Sequence, residues 1–263
     1  MSCFHYIIIL MWHDIKKLVQ RRKRWAKKYD MPNLSRIHPD LELKVSPQAR
    51  RMALRLDTQR RVMYLVVPSH TRTEKAYDFA LQYRDWIKEN LSGLPEPVPF
   101  EDGRIIPVFG KKVRIDITYD PELKRTDISL EGNVLYVSTN KEDPTRRIER
   151  FLRELAHETI EKIARRKAAC INAEVASINV RDTKSRWGSC NHRNEISYSW
   201  RLIFAPRQAM DYVIAHEIAH LAHFDHSEAF WAMCCRLSAS YRKGRDWMDE
   251  YGHTLWRFGQ REE

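Results

Sequence analysis

The sequence predicts an α+β fold, and three observations carry that prediction. Apolar residues alternate with period two through much of residues 41–142, the spacing of half-buried strands. From residue 143 onward they recur at helical spacing. One of these later helices, following Pro206, contains His216-Glu217-Ile218-Ala219-His220.

In chain order, residues 1–40 read as a basic N-terminal extension. Phe4–Trp12 (FHYIIILMW) is the most apolar run, but it is too short for a membrane-spanning helix of about twenty residues. It also lacks the preceding positive charge and small-residue cleavage site of a signal peptide. Ile15–Lys28 (IKKLVQRRKRWAKK) is strongly basic with a ragged apolar face. It fits a membrane-surface or nucleic-acid-binding arm, or a start placed too far upstream, since Met11 and Met31 can each begin a chain.

Residues 41–142 read as a β-rich scaffold with one helix. Met52, Leu54 and Leu56, then Val62, Tyr64 and Val66, predict a hairpin turning at Asp57-Thr58-Gln59. Thr71 with Glu74 predicts a capping box for one helix carrying Ala76, Phe79, Ala80, Tyr83, Ile87 and Leu91, closed by Ser92-Gly93. Beyond a proline-marked loop, strands are expected at Arg104–Phe109 and Lys112–Tyr119. A hairpin, Ile128–Leu130 with Val134–Val137, is expected to turn at Glu131-Gly132-Asn133.

Asp143-Pro144 predicts a helix start, with Ile148, Phe151, Leu152, Leu155, Ile160 and Ile163 as its buried stripe. Its basic end, Lys162 to Lys167, is explained by the helix dipole alone. Strands are expected at Ser177–Val180 and Ile196–Ile203, bracketing Arg186 to Cys190. Phe230, Cys234 and Leu237 read as core of a later helix.

A chain of 263 residues can bury a full core as one large or two small domains. Its five cysteines form no CxxC pair, giving neither a disulfide framework nor a second metal site; they read as reduced thiols in a cytoplasmic protein. A net charge of +11 is compatible with attraction to nucleic acid, but no nucleic-acid motif accompanies it.

The His-Glu-x-x-His stretch carries the chemistry. On a helix, residues four apart share a face, so His216 and His220 can offer two imidazole nitrogens to one Zn²⁺. Glu217 is placed to hydrogen-bond a metal-bound water rather than the metal. For the third ligand, His223 lies about 10.5 Å along a straight helix from His216, too far for one ion to bridge easily. His226 follows a turn at Phe224-Asp225, with Asp225 and Glu228 expected to cap the next helix, and is the chosen third ligand.

These residues resemble the YgjP-like metallopeptidases, a branch of the zincin-type zinc peptidases. The resemblance rests on Asp182–Cys190 (DTKSRWGSC), Ile196–Ile203 (ISYSWRLI), Ala205-Pro206, Tyr212-Val213, the His216–Leu221 stretch, His226-Ser227 and Phe230-Trp231. It runs from about Val45 to about Gly252. It implies one Zn²⁺ per chain on His216, His220 and His226, with Glu217 as catalytic carboxylate and residues 143–263 as a zincin-like metallopeptidase part with a small sheet. It also makes Trp187, Gly188 and Ser189 the substrate-side wall, on a strand that pairs with an extended peptide. The metzincin branch carries Gly where this chain has His223, which argues against that branch.

The reading is therefore a zinc metallopeptidase acting on a peptide or protein substrate. Tyr212, His223 and Tyr241 are candidates for stabilising the oxyanion. Asp246, Asp249 and Glu250 are candidates for supporting a ligand imidazole, or simply solvated charge. Two rivals remain: a nucleic-acid-associated protein, as in the related SprT-like proteases, and a metal-stabilised interaction domain without turnover. The carboxylate of Glu217 speaks against the second, since a structural zinc site needs none.

Overall fold

The computed structural model describes residues 33–58, 60–183 and 186–260. The expectations for residues 1–32, and the tip of the first turn at Gln59, lie outside the described residues. The α+β expectation holds: the described elements are ten strands in three small sheets, six α-helices and three short 3-10 turns. The chain forms two compact units that divide between Leu94 and Pro95.

In the first unit, β1 (Leu41–Ser46), β2 (Ala53–Asp57) and β3 (Val62–Pro68) form a sheet of order β1-β3-β2. The expected hairpin is β2–β3, antiparallel; β1, not anticipated, runs parallel to β3 on its other side. On β3 the alternating Val62, Tyr64 and Val66 are not the set that faces the core. Met63, Leu65 and Val67 bury against Ala76, Ala80, Ile87 and Leu91 instead, although Val66 is buried too. Both alternating sets of this strand are largely apolar, so periodicity does not choose a face.

The single expected helix is two, α1 (Thr73–Gln82) and α2 (Arg84–Ser92), broken at Tyr83 (φ −103°, ψ 19°). The Thr71–Glu74 capping box does not form; Arg72 occupies the cap without a side-chain bond. Within the span read as an extension, Leu34 and Ile37 are buried in this unit's core beside Leu41.

The second unit contains a four-stranded sheet of order β4-β5-β7-β6, built from β4 (Ile105–Val108), β5 (Lys111–Tyr119), β6 (Asp127–Glu131) and β7 (Val134–Thr139). The β6–β7 hairpin turns at Gly132, whose φ of +59° suits a residue without Cβ. Helix α3 (Thr145–Ala169) begins one residue later than expected, and the Asp143 carboxylate still accepts from the Thr145 amide at 3.1 Å. Its Ile148, Leu152, Ala156 and Ile160 share one core with Val113, Ile115, Leu135 and Val137. That shared core is why the expected boundary at residues 142/143 does not coincide with a break between compact units.

The basic end of α3 also differs from the expectation. Lys167 is buried, its ammonium 2.7 Å from Asp211 and bonded to the Leu237 carbonyl, so it ties α3 to later elements. A buried ammonium needs such partners, and the dipole is not its main explanation.

The third sheet has the order β8-β10-β9, from β8 (Ser177–Arg181), β9 (Gly188–Cys190) and β10 (Glu195–Ser199). Strand β10 is shorter than the expected Ile196–Ile203. The Ser199 hydroxyl accepts from the Arg201 amide at 3.4 Å and starts a buried 3-10 turn, Trp200–Phe204. Helices α4 (Arg207–Ala219), α5 (Glu228–Leu237) and α6 (Tyr241–Tyr251) follow. Helix α6 crosses α4 closely at Gly244, where an added Cβ would lie 2.3 Å from the Gln208 carbonyl oxygen and 2.6 Å from Tyr212 Cβ.

Candidate metal centre and cleft

Helix α4 ends where the site begins. His216 and Glu217 lie in its last turn, and His220 is its C-cap. The chain then turns through Leu221–Asp225 and brings His226 back before α5. Asp225 does not cap α5 as expected. Ser227 holds the cap position, its hydroxyl donating to the Asp225 carboxylate at 2.8 Å.

His216, His220 and His226 come together. The Nε2 atoms of His220 and His226 each lie 3.3 Å from that of His216, and one ligand atom from each ring falls within 4.8 Å of the others. Zinc–nitrogen bonds of about 2.0–2.1 Å in a tetrahedron place ligand atoms about 3.3–3.4 Å apart. The two spacings to His216 suit that ion. His223 does not join the cluster; its carbonyl accepts from His220 Nδ1 at 3.0 Å. That bond places the His220 proton on Nδ1 and leaves the Nε2 lone pair facing the cluster.

The surroundings favour the neutral form of His216 and His220. Burial lowers His216 to about 4, with smaller contributions from His220, His226 and Arg245; burial lowers His220 as well. Phe230, fully buried, lies beneath the triad with its ring centroid 4.6–4.9 Å from all three imidazoles. Trp231 packs on His216 and His226, and the Arg245 guanidinium lies over it at 4.8 Å. His216 Nδ1 is buried without a hydrogen-bond partner among the described residues. The acidic cluster does not supply one: Asp246, Asp249 and Glu250 are all exposed, and Asp249 faces Arg245 at 3.6 Å.

Glu217 is only 6% exposed, and burial pushes its carboxyl up to about 8 against a smaller opposing pull from Arg186. Its position depends on Gly188. A Cβ there would lie 2.5 Å from both Glu217 Cγ and Oε1. The absence of a side chain at Gly188 leaves room for this carboxylate. Gly188→Ala should therefore displace Glu217 and lower turnover about a hundredfold with the metal retained, as misplacement by about 1 Å can do. Metal analysis alongside steady-state kinetics checks this; unchanged kcat would show that the carboxylate relaxes freely.

The metal-free protein should also show a pH signature. Between 4.5 and 8 the folded state holds a Glu217 proton that the unfolded chain has released, so stability falls as pH rises. His216, lowered from 6.5 to about 4, acts in the opposite sense below pH 6.5, where the unfolded imidazole binds the extra proton. The two largely offset each other below 6.5, leaving a net loss of about 1 kcal/mol from pH 6.5 to 8. Denaturant unfolding of chelator-treated protein at those two pH values reads it; equal stabilities would count against a protonated buried Glu217.

A cleft of about 460 Å³ opens beside Glu217 and His216. Tyr212, one turn before His216 on α4, lines it, whereas His223 and Tyr241 do not. Strand β9 is the edge of its sheet, pairing only with β10 among the described strands. Trp187, just before β9, accepts from the Ser199 amide at 2.8 Å and stacks on Trp256 at 4.6 Å. Trp187 and Gly188 line the cleft; Ser189 sits on the same strand but is not part of the lining.

Sequence reasoning missed Met248, His253 and Trp256, which also line the cleft. They lie on α6 and the turn after it, where nothing local marks them; only the stacking of residues 187 and 256 reveals the association. Cys190 is not a nucleophile candidate, since burial and Glu217 push its thiol up to about 11. No described helix is long and apolar enough to cross a membrane. Residues 50–251 match the family model of the YgjP-like metallopeptidase domain. No curated protein and no solved structure matches the chain.

Proposed function

The chain belongs to the YgjP-like metallopeptidase family, and from that premise we propose that it is a zinc-dependent peptidase with His216, His220 and His226 as ligands and Glu217 as general base and acid. The observation that carries this reading is the 3.3 Å spacing of the imidazole nitrogens beside a buried carboxylate. Bound there, zinc supplies a water acidified toward neutrality and a Lewis acid for the scissile carbonyl.

Glu217 takes a proton from the attacking water and passes it to the leaving amine. Burial favours the protonated carboxyl, while a dication bound nearby would favour the carboxylate, the form that accepts the proton of the water. Gly188 leaves room for the carboxylate on the cleft lining. Tyr212 is the donor assigned to the oxyanion: it lines the cleft, its ring centroid is 5.8 Å from that of His216, and burial raises its hydroxyl to about 12, so it keeps its proton. The β9 edge, with Trp187 before it, is the wall along which an extended peptide pairs.

The deciding experiment is metal content by mass spectrometry on protein purified without chelators, paired with cleavage of a peptide library. One zinc per chain with metal-dependent cleavage is expected. A chain that binds no zinc, or binds it and cuts no peptide, would overturn the reading.

A further inference from the structure

We infer that the cleft beside Glu217 is a specificity slot for a bulky apolar side chain, aromatic or branched aliphatic, next to the scissile bond. This rests on the peptidase reading and goes beyond it by naming the substrate class. One side of the slot is walled by the stacked indoles of Trp187 and Trp256, with Met248 and Val213 contributing further apolar surface, while Asp249 and His253 add polar groups to the rest of its lining. Met248, Val213 and Trp256 are each at most 7% exposed, so the wall is continuous with the core rather than a solvated rim. Its volume of about 460 Å³ falls within the usual range of about 300–1,000 Å³ for ligand pockets.

The wall is held in place. Arg201, itself 6% exposed, donates from Nη1 to the carbonyls of Trp256 at 3.3 Å and Phe258 at 2.8 Å. Its Nε bonds the Asp182 carboxylate at 3.0 Å, and its guanidinium lies 5.6 Å from the Trp256 ring centroid. Gly252 lets the other wall residues close together: a Cβ there would come within 3.2 Å of both Met248 Cε and Trp187 Nε1. A fixed apolar wall of this kind rewards a large apolar side chain. It offers little to a hydroxyl, which loses its water partners on entry. An acidic side chain meets in addition Asp249 on the cleft lining.

The test uses pentapeptides that differ at one residue, Phe, Leu, Ser or Asp. Zinc-loaded wild type should cut the Phe and Leu peptides with kcat/KM about tenfold or more above the Ser and Asp peptides. Trp187→Ala should collapse that ratio toward one, whereas Trp187→Phe should keep most of it. In Glu217→Gln, the Phe and Leu peptides, but not the Ser and Asp peptides, should change tryptophan fluorescence on binding. Cleavage that ignores residue identity would overturn the slot while leaving the peptidase reading intact. Selective binding of the Phe and Leu peptides to Glu217→Gln, with no cleavage by wild type, would support the slot and overturn the peptidase reading. Neither binding nor cleavage would overturn both.

Discussion

Glu217→Gln should leave zinc binding intact and lower kcat by about 10²–10⁴-fold, the range that a positioned general acid–base group contributes. Gln has nearly the same shape, and a neutral amide is as acceptable as a protonated carboxyl in a site where burial already raises Glu217 to about 8. It cannot accept and return a proton. The fall should therefore appear in kcat, with KM little changed, because the substrate wall formed by Trp187 and its neighbours is untouched. Steady-state kinetics with metal analysis on the same preparation checks it. Retained turnover at full metal loading would remove Glu217 from the chemistry.

His226→Ala should have the larger effect on the metal. Losing even an outer hydrogen-bond partner of a ligand costs about 10–100-fold in affinity, and losing one of three ligands costs more. Zinc content should fall from one per chain toward zero after dialysis, and peptidase activity with it. His223→Ala is the control: its imidazole is not in the cluster, and the carbonyl that holds His220 Nδ1 remains in the alanine variant. Zinc loss in His223→Ala but not in His226→Ala would reassign the third ligand.

The contrast between these two histidines shows how far local geometry reaches. Helical rise places His223 too far from His216, and the turn at Phe224-Asp225 makes room for His226; both arguments use only neighbouring residues. Elements set by short-range pattern were legible in the same way: the β2–β3 and β6–β7 hairpins, the stripe of α3, and the helix that carries His216. Errors arose where competing local signals were equally good. Strand β3 is apolar on both faces, so periodicity alone does not select its buried set. The Thr71–Glu74 pair had the spacing of a capping box, yet the helix begins at Thr73 and breaks at Tyr83.

By itself, then, the sequence determined the α+β class and the histidine and glutamate positions whose spacing suits a metal, because helical and strand periodicities and the His-Glu-x-x-His spacing are properties of adjacent residues. Only the tertiary structure decided that Gly188 makes space for Glu217, that Lys167 pairs with Asp211, and that Trp256 closes on Trp187. Each of those contacts joins segments separated by 29 to 69 positions in the chain. Their partners are chosen by the packing of whole elements around a shared core, for which no local pattern exists.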